Sequence, residues 1–290
     1  MRNILRTVIS LAALILAGSC CCGARTGLNV PDVERLAFDS HVPGTSNTDV
    51  FVCDFGNPPL VRLTSSSRFD AYPAFSNDGL RIAYDTERNF PDGPIAIFTM
   101  TVTGGSQTAL VRDAASPNEE YLDVRWSPDG STIAYARQSA IWLFDVATRV
   151  TRRLTPEGVI ASWPTFGPGG VVAFVRVNGT GTIQVWRIGP GTTLNRFLGV
   201  PDGADQPAWS SDGASLYYRF ENNIQRLDVA SGVSSLVVAN ASQPAPSPTG
   251  TRLAFVRDGQ IWKAAIDGTF PSQVSPGPED AHPVWSVPVP

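Results

Sequence analysis

The sequence predicts an all-β fold, a six-bladed β-propeller whose ring is closed by its C-terminal strand. Three observations lead there. An aliphatic-alanine-aromatic triplet recurs along the chain, a glycine-ended tight turn precedes most copies, and an inner-strand motif missing at the start is present without a partner at the end.

Composition is consistent with that class. With 42% hydrophobic residues the chain can bury a large core, while 26 Gly and 24 Pro punctuate it too often for long helices. Lys plus Arg is 22 against 26 Asp plus Glu, and Lys263 is the sole lysine, so there is no basic excess to hold a phosphate backbone. Nucleic acid is therefore not expected as a partner. Two histidines, His41 and His282, cannot build a His-rich metal site. Neither a metal nor a cofactor is expected.

The first element is a leader, residues 1–19. Arg2 and Arg6 give a positive start, residues 8–17 are almost unbroken apolar, and small residues precede Cys20. About ten apolar residues are half of the roughly 20 that a membrane-spanning helix needs. Leu16-Ala17-Gly18-Ser19-Cys20 resembles a bacterial lipobox, with Ala17 where such boxes place Leu, which makes Cys20 the expected lipidation site. Cys21 and Cys22 are neighbouring alternatives, and ordinary secretory cleavage or a buried helix are the other readings. Residues 20–33 would then be a linker, and loss of Arg2 and Arg6 takes the formal charge from −4 to about −6. Cys53 has no expected disulfide partner and reads as a buried apolar thiol.

The propeller is expected over residues 34–290. Its triplets are Leu36-Ala37-Phe38, Ile82-Ala83-Tyr84, Ile133-Ala134-Tyr135, Val172-Ala173-Phe174 and Leu253-Ala254-Phe255, with Leu216-Tyr217-Tyr218 as a deviant copy. Turns such as Ser127-Pro128-Asp129-Gly130 and Ser210-Ser211-Asp212-Gly213 stand before five of them. In these turns the acidic or amide side chain can bond the backbone two residues on, and glycine supplies φ > 0. Asp78, Asp129 and Asp212 are thereby assigned a structural role. The turn glycines recur every 37 to 51 residues, the length of a four-stranded blade. In the third blade the strands are expected at 124–127, 132–137, 140–145 and 152–155. The first blade has strands at 35–39, 48–54 and 60–64 but no inner one, while His282-Pro283-Val284-Trp285-Ser286 ends the chain without a blade. The tail is expected to supply the missing strand.

The segment Trp126-Ser127-Pro128-Asp129-Gly130-Ser131-Thr132-Ile133-Ala134-Tyr135 resembles the WD40-like repeat of TolB proteins, and the resemblance runs over residues 34–290. It implies a six-bladed ring and envelope protein partners such as a peptidoglycan-associated lipoprotein. There are two departures. TolB proteins carry an α/β domain before the propeller, where only residues 21–32 stand here, and they are soluble in the periplasm, whereas a lipid anchor is expected here. The matched residues are turn and core positions, so no binding residue is carried over.

The functional expectation is an exported, lipid-anchored, monomeric module in a bacterial envelope, binding a protein or a small ligand. No Gly-x-Ser-x-Gly elbow and no Asp-x-Asp-x-Asp-Gly loop occurs, so no catalytic residue is assigned. The class-different alternative is a hydrolase or lyase with carboxylates, His282 or a metal converging in the channel. Loops joining second to third strands, and fourth strands to the next blade, share one face, which carries the longest insertions, 40–48, 86–94 and 113–122. Tyr72, Asp123, Trp163, Gln206, Gln243 and His282, read as standing just before each inner strand, ring the channel mouth on that face as candidate binding residues; the alternative is that they cap contacts between blades. Asp85, Glu87, Asp92, Glu119, Glu120, Asp123, Glu279 and Asp280 crowd the same region. They either favour a basic or cation-bearing partner or form a solvated rim.

Overall fold

In the computed structural model, residues 34–55, 60–87, 96–111 and 121–287 are described. The leader, Cys20 and the linker lie outside them, as do most of the insertions expected at 86–94 and 113–122. The described residues form six four-stranded antiparallel sheets, each a blade, with one short 3-10 turn at Pro168–Gly170.

The first sheet contains the expected closure. The C-terminal strand Asp280–Trp285 pairs antiparallel with Arg35–His41, setting Leu36 opposite Trp285 and Ser40 opposite Asp280. Ser286 completes the join: its amide donates to the Arg35 carbonyl (2.8 Å), and its hydroxyl accepts from the Arg35 amide (2.9 Å). Trp285 is buried, and its indole N–H donates to the Ala245 carbonyl at 2.9 Å.

The triplets explain how blades stack. Leu36 and Phe38 pack toward the sixth blade, while Ala37 between them packs toward the second. Ile82 and Tyr84 likewise face the first blade, and Ala83 the third. Side chains alternate across a strand, so the large members fill the interface behind and the small member lets the next blade approach. Six hydrophobic clusters result, one at each of the six blade interfaces. Cys53 is buried in the cluster that closes the ring.

The turns behave as their residues dictate. Asp129 accepts from the Ser127 hydroxyl (2.6 Å) and the Ser131 amide (3.0 Å), and these bonds hold its carboxyl down at about 2. Asp78 and Asp212 do the same in their turns and are also lowered. In the third blade, Thr132–Arg137 and Ala140–Asp145 coincide with expectation, and the outer strand is Thr151–Arg153. The inner strand differs: it runs Tyr121–Trp126, beginning three residues before the alternating pattern does.

Candidate functional site

That early start has one cause, repeated in every blade. Tyr72, Asp123, Trp163, Gln206, Gln243 and His282 do not precede their inner strands; each sits within one, at a bulge, with φ between 51° and 59°. The ladder skips at each of these points, as between Ala71 and Ala74 or Ser162 and Thr165. Five of the six precede proline, which has no N–H for the ladder and drives the preceding residue out of the right-handed helical region. A proline inside a would-be inner strand was the signal for the bulge. The extra residue breaks the alternation and turns its own amide away from the strand partner.

Those displaced amides form a belt around the channel mouth. Tyr72 N–H donates to Asp39 Oδ1 (3.1 Å), Trp163 N–H to Asp123 Oδ2 (3.2 Å), Gln243 N–H to Gln206 Oε1 (2.8 Å) and His282 N–H to Gln243 Oε1 (2.5 Å). Asp123, Gln206 and Gln243 thus have side chains that clasp the next blade. Tyr72, Trp163 and His282 instead bring rings together over the channel. The Tyr72 and His282 centroids are 3.8 Å apart, and Trp163, from the fourth blade, reaches within 6.2 Å of His282. His282 Nδ1 lies 2.8 Å from Asp39 Oδ1, the distance of an N–H donating to a carboxylate, and this fixes the ring's orientation. The Tyr72 hydroxyl and the Trp163 indole N–H make no hydrogen bond among the described residues.

Several of the acids are not a rim. Asp39, Asp85, Asp123 and Asp280 are buried, while Glu279 is exposed and pairs loosely with His41 (3.8 Å); Asp92, Glu119 and Glu120 lie outside the described residues. Burial pushes the Asp85 carboxyl well above the usual range, and the charge on Asp123 pushes the same way, against the pull of Arg125. Neither Asp85 oxygen meets hydrogen-bond geometry with a partner, although the Asp123 amide is near enough to favour its charge. Burial raises Asp123 too, opposed by Arg125 and His282. The Tyr72 phenol is raised by burial and then by Asp123, Asp39 and Asp85, so it is a neutral donor throughout the physiological range. Among the described residues no three His, Cys, Asp or Glu side chains are arranged to hold a metal ion.

Asp85 was read from the sequence only as one acid of a crowded face; Asp39, which like Asp85 directly follows a triplet, was not singled out, and Arg125 was missed altogether. Below the rings the channel holds a cavity of about 160 Å³, with Arg125, Trp163, Gln206, Gln243 and His282 in its wall. On the mouth face a wider open groove of about 750 Å³ runs between the fifth and sixth blades, past Arg219, Asn222, Asn240, Ser242 and Arg257. Arg219 is tied by a two-pronged pair to Asp205.

The fold has counterparts among known proteins. The crystal structure of TolB from Acinetobacter baumannii superposes with a TM-score of 0.73 at 20% identity, covering 90% of this chain and 68% of that one. The propeller is TolB-like. The structure of a putative TolB from Agrobacterium tumefaciens gives 0.66 at 14% identity, covering 90% of this chain and all of that one. In sequence, a TolB homolog of Chlorobium chlorochromatii is 27% identical over 146 residues, 49% of this chain and 31% of the relative. The chain spans about a third of the length of the curated relatives it matches. No family model matches it. Structural likeness at such low identity establishes the fold alone.

Proposed function

We propose that this TolB-like propeller is an envelope recognition module, lipid-anchored through Cys20, that binds a protein partner at the channel mouth. One observation carries the reading. The polar side chains of Asp123, Gln206 and Gln243 are committed to bonds between blades, whereas the tips of Tyr72 and Trp163 stand over the channel without partners. Rigid aromatics with a free polar tip are the usual anchors of a protein interface. The groove between the fifth and sixth blades extends the same face with two amides, the Ser242 hydroxyl, the Asp258 carboxyl and two guanidinium groups. The names of the TolB homologues support an envelope setting, and the leader supports export.

The enzyme alternative has the Asp39–His282 pair in its favour, yet Asp39 also holds the Tyr72 amide, and the imidazole is stacked under Tyr72. A ring so held suits a binding platform better than a moving base.

Crosslinking in intact cells followed by pull-down supplies the partner. Trp163→Ala and Tyr72→Ala are then expected to weaken binding at least about 30-fold, the effect of removing an anchor worth about 2 kcal/mol. Asn77→Ala and Ser211→Ala, on the opposite face, should leave it unchanged. The reverse pattern, with all four variants folded, refutes the assignment. For the anchor, Cys20→Ala should abolish fatty-acid labelling; persistent labelling moves the site to Cys21 or Cys22, and an unlabelled parent refutes it.

A further inference from the structure

Two residues beyond each bulge, the inner strands place Ala74, Arg125, Thr165, Ala208, Ala245 and Val284 at one level of the channel. Five are small, and one is a guanidinium. The third blade departs from its siblings twice, with Val124 where the others have proline and Arg125 where they have a small residue. Because its neighbours at that level are short, Arg125 has open space before it. Two adjoining cavities, of about 160 and 180 Å³, share Arg125, Thr165, Pro248 and Trp285 as common wall, so the guanidinium stands at the neck between them.

Its charge is not neutralised by contact. Among the described residues no carboxylate oxygen lies within ion-pair distance of Arg125, and its one hydrogen bond runs from Nη1 to the Val124 carbonyl at 2.7 Å. The acids that feel it, Asp85 and Asp123, are on the mouth side. Toward the turn face no acidic residue lines the wall among the described residues: beside Arg125 it is Ser76, Asn77, Ser127, Thr165 and apolar or aromatic neighbours such as Phe75 and Trp126. Among the described residues the Thr165 hydroxyl has no hydrogen bond, and the indole N–H groups of Trp126 and Trp209, residues that line the two cavities, are buried without an acceptor. A buried donor left without an acceptor is costly, and these two beside a fixed cation leave the site short of acceptors.

We propose that the channel binds a carboxylate, entering from the turn face and gripped by Arg125. A planar guanidinium matches a carboxylate with two parallel N–H bonds. The space admits a group of a few heavy atoms and is well below the size of sites for larger ligands. Asp85 and Asp123 nearby disfavour a doubly charged phosphate relative to a single carboxylate. The carboxylate has two possible sources, a free small acid or the C-terminus of a peptide threaded from the turn face, and both have the same chemistry at Arg125. The site adjoins the aromatic mouth, since Trp163, Gln206, Gln243 and His282 line the first of the two cavities, but it is entered from the opposite face and does not rest on the mouth's binding a partner.

The test uses the full chain titrated calorimetrically with propionate, with a tripeptide Gly-Ala-Ala bearing a free C-terminus, with its amide, and with inorganic phosphate. Saturable binding of propionate or the free peptide is expected, with the amide and phosphate at least about tenfold weaker. Arg125→Ala should lose at least tenfold in affinity, and Arg125→Thr, which copies the fourth blade, serves if the alanine variant folds poorly. In the parent, the Arg125 Nε resonance should shift on titration, a readout that needs no variant. Propionate binding at least as well as the peptide identifies a free acid, and the reverse order a chain terminus. Absence of saturable binding at millimolar concentration, equal binding by the variants, or tighter binding of phosphate overturns the proposal.

Discussion

Asp85 is fully buried, and among the described residues neither of its carboxyl oxygens has a hydrogen-bond partner. It follows the triplet Ile82-Ala83-Tyr84, so strand alternation turns it to the same side as Ala83. Its carboxyl is raised in the folded protein, which means the folded state holds the proton more tightly than the unfolded one. The resulting stability is fully present below the ordinary carboxylate range and is lost as pH rises through the raised value. Asp85→Asn keeps the shape and cannot ionise. It is expected to melt at least about 2–4 °C higher than the parent at pH 8, with the difference vanishing at pH 3. Thermal melts at the two pH values check this, and a variant that melts lower at pH 8 would show that the charged form is supported after all.

At the scale of elements, the hairpins carry the most specific demands. Asp258 and Gly259 join the second and third strands of the sixth blade, both at positive φ, as the tightest hairpin turn requires. Gln138 and Ser139 make the same connection in the third blade without glycine, so positive φ alone does not compel one. What singles out Gly259 is its neighbour: a Cβ there would collide with the Pro278 carbonyl oxygen, and the Gly259 carbonyl accepts from Asp280 N–H at 2.8 Å where the closing strand begins. Gly259→Ala should destabilise by about 2–4 kcal/mol, combining the left-handed penalty with the collision. Ser139→Ala should stay within about 0.5 kcal/mol. Urea unfolding midpoints of the two variants separate these cases; equal midpoints would remove the collision as the reason for the glycine.

For the whole molecule the decisive contact joins residues some 250 apart in sequence, Arg35 with Ser286. A chain cut after Ala281 keeps five complete blades but leaves the inner edge of the first unpaired and deprives its interface with the sixth of Trp285. Burial of that indole contributes roughly 2–3 kcal/mol on an area basis. Loss of the strand should lower the melting temperature by at least about 5 °C and expose apolar surface to a hydrophobic dye. A truncated chain as heat-stable as the parent would show that the ring does not depend on its closure.

Blade number, strand order within a blade, the turn chemistry and the identity of the closing strand were all legible in the residues, because each is written locally and then repeated. Comparing copies separates the constrained positions, such as the alanine found in five of the six triplets, from the free ones. The six mouth positions recur with the repeat, although the sequence places them just before the inner strands and the structure puts them within, at bulges. Which of them clasp a neighbouring blade and which hold rings over the channel was not legible, since Gln206 and Gln243 look alike in sequence to any exposed amide. Only closure of the ring brings Asp39 to His282, stacks Tyr72 on that imidazole and carries Trp163 across the channel. Only the packed channel takes water away from Asp85 and Asp123 and leaves Arg125 with open space. Short-range steric and hydrogen-bond preferences act between residues a few positions apart and can be read along a chain. Desolvation and the field of distant charges depend on what the fold places around a group, and those were settled in three dimensions.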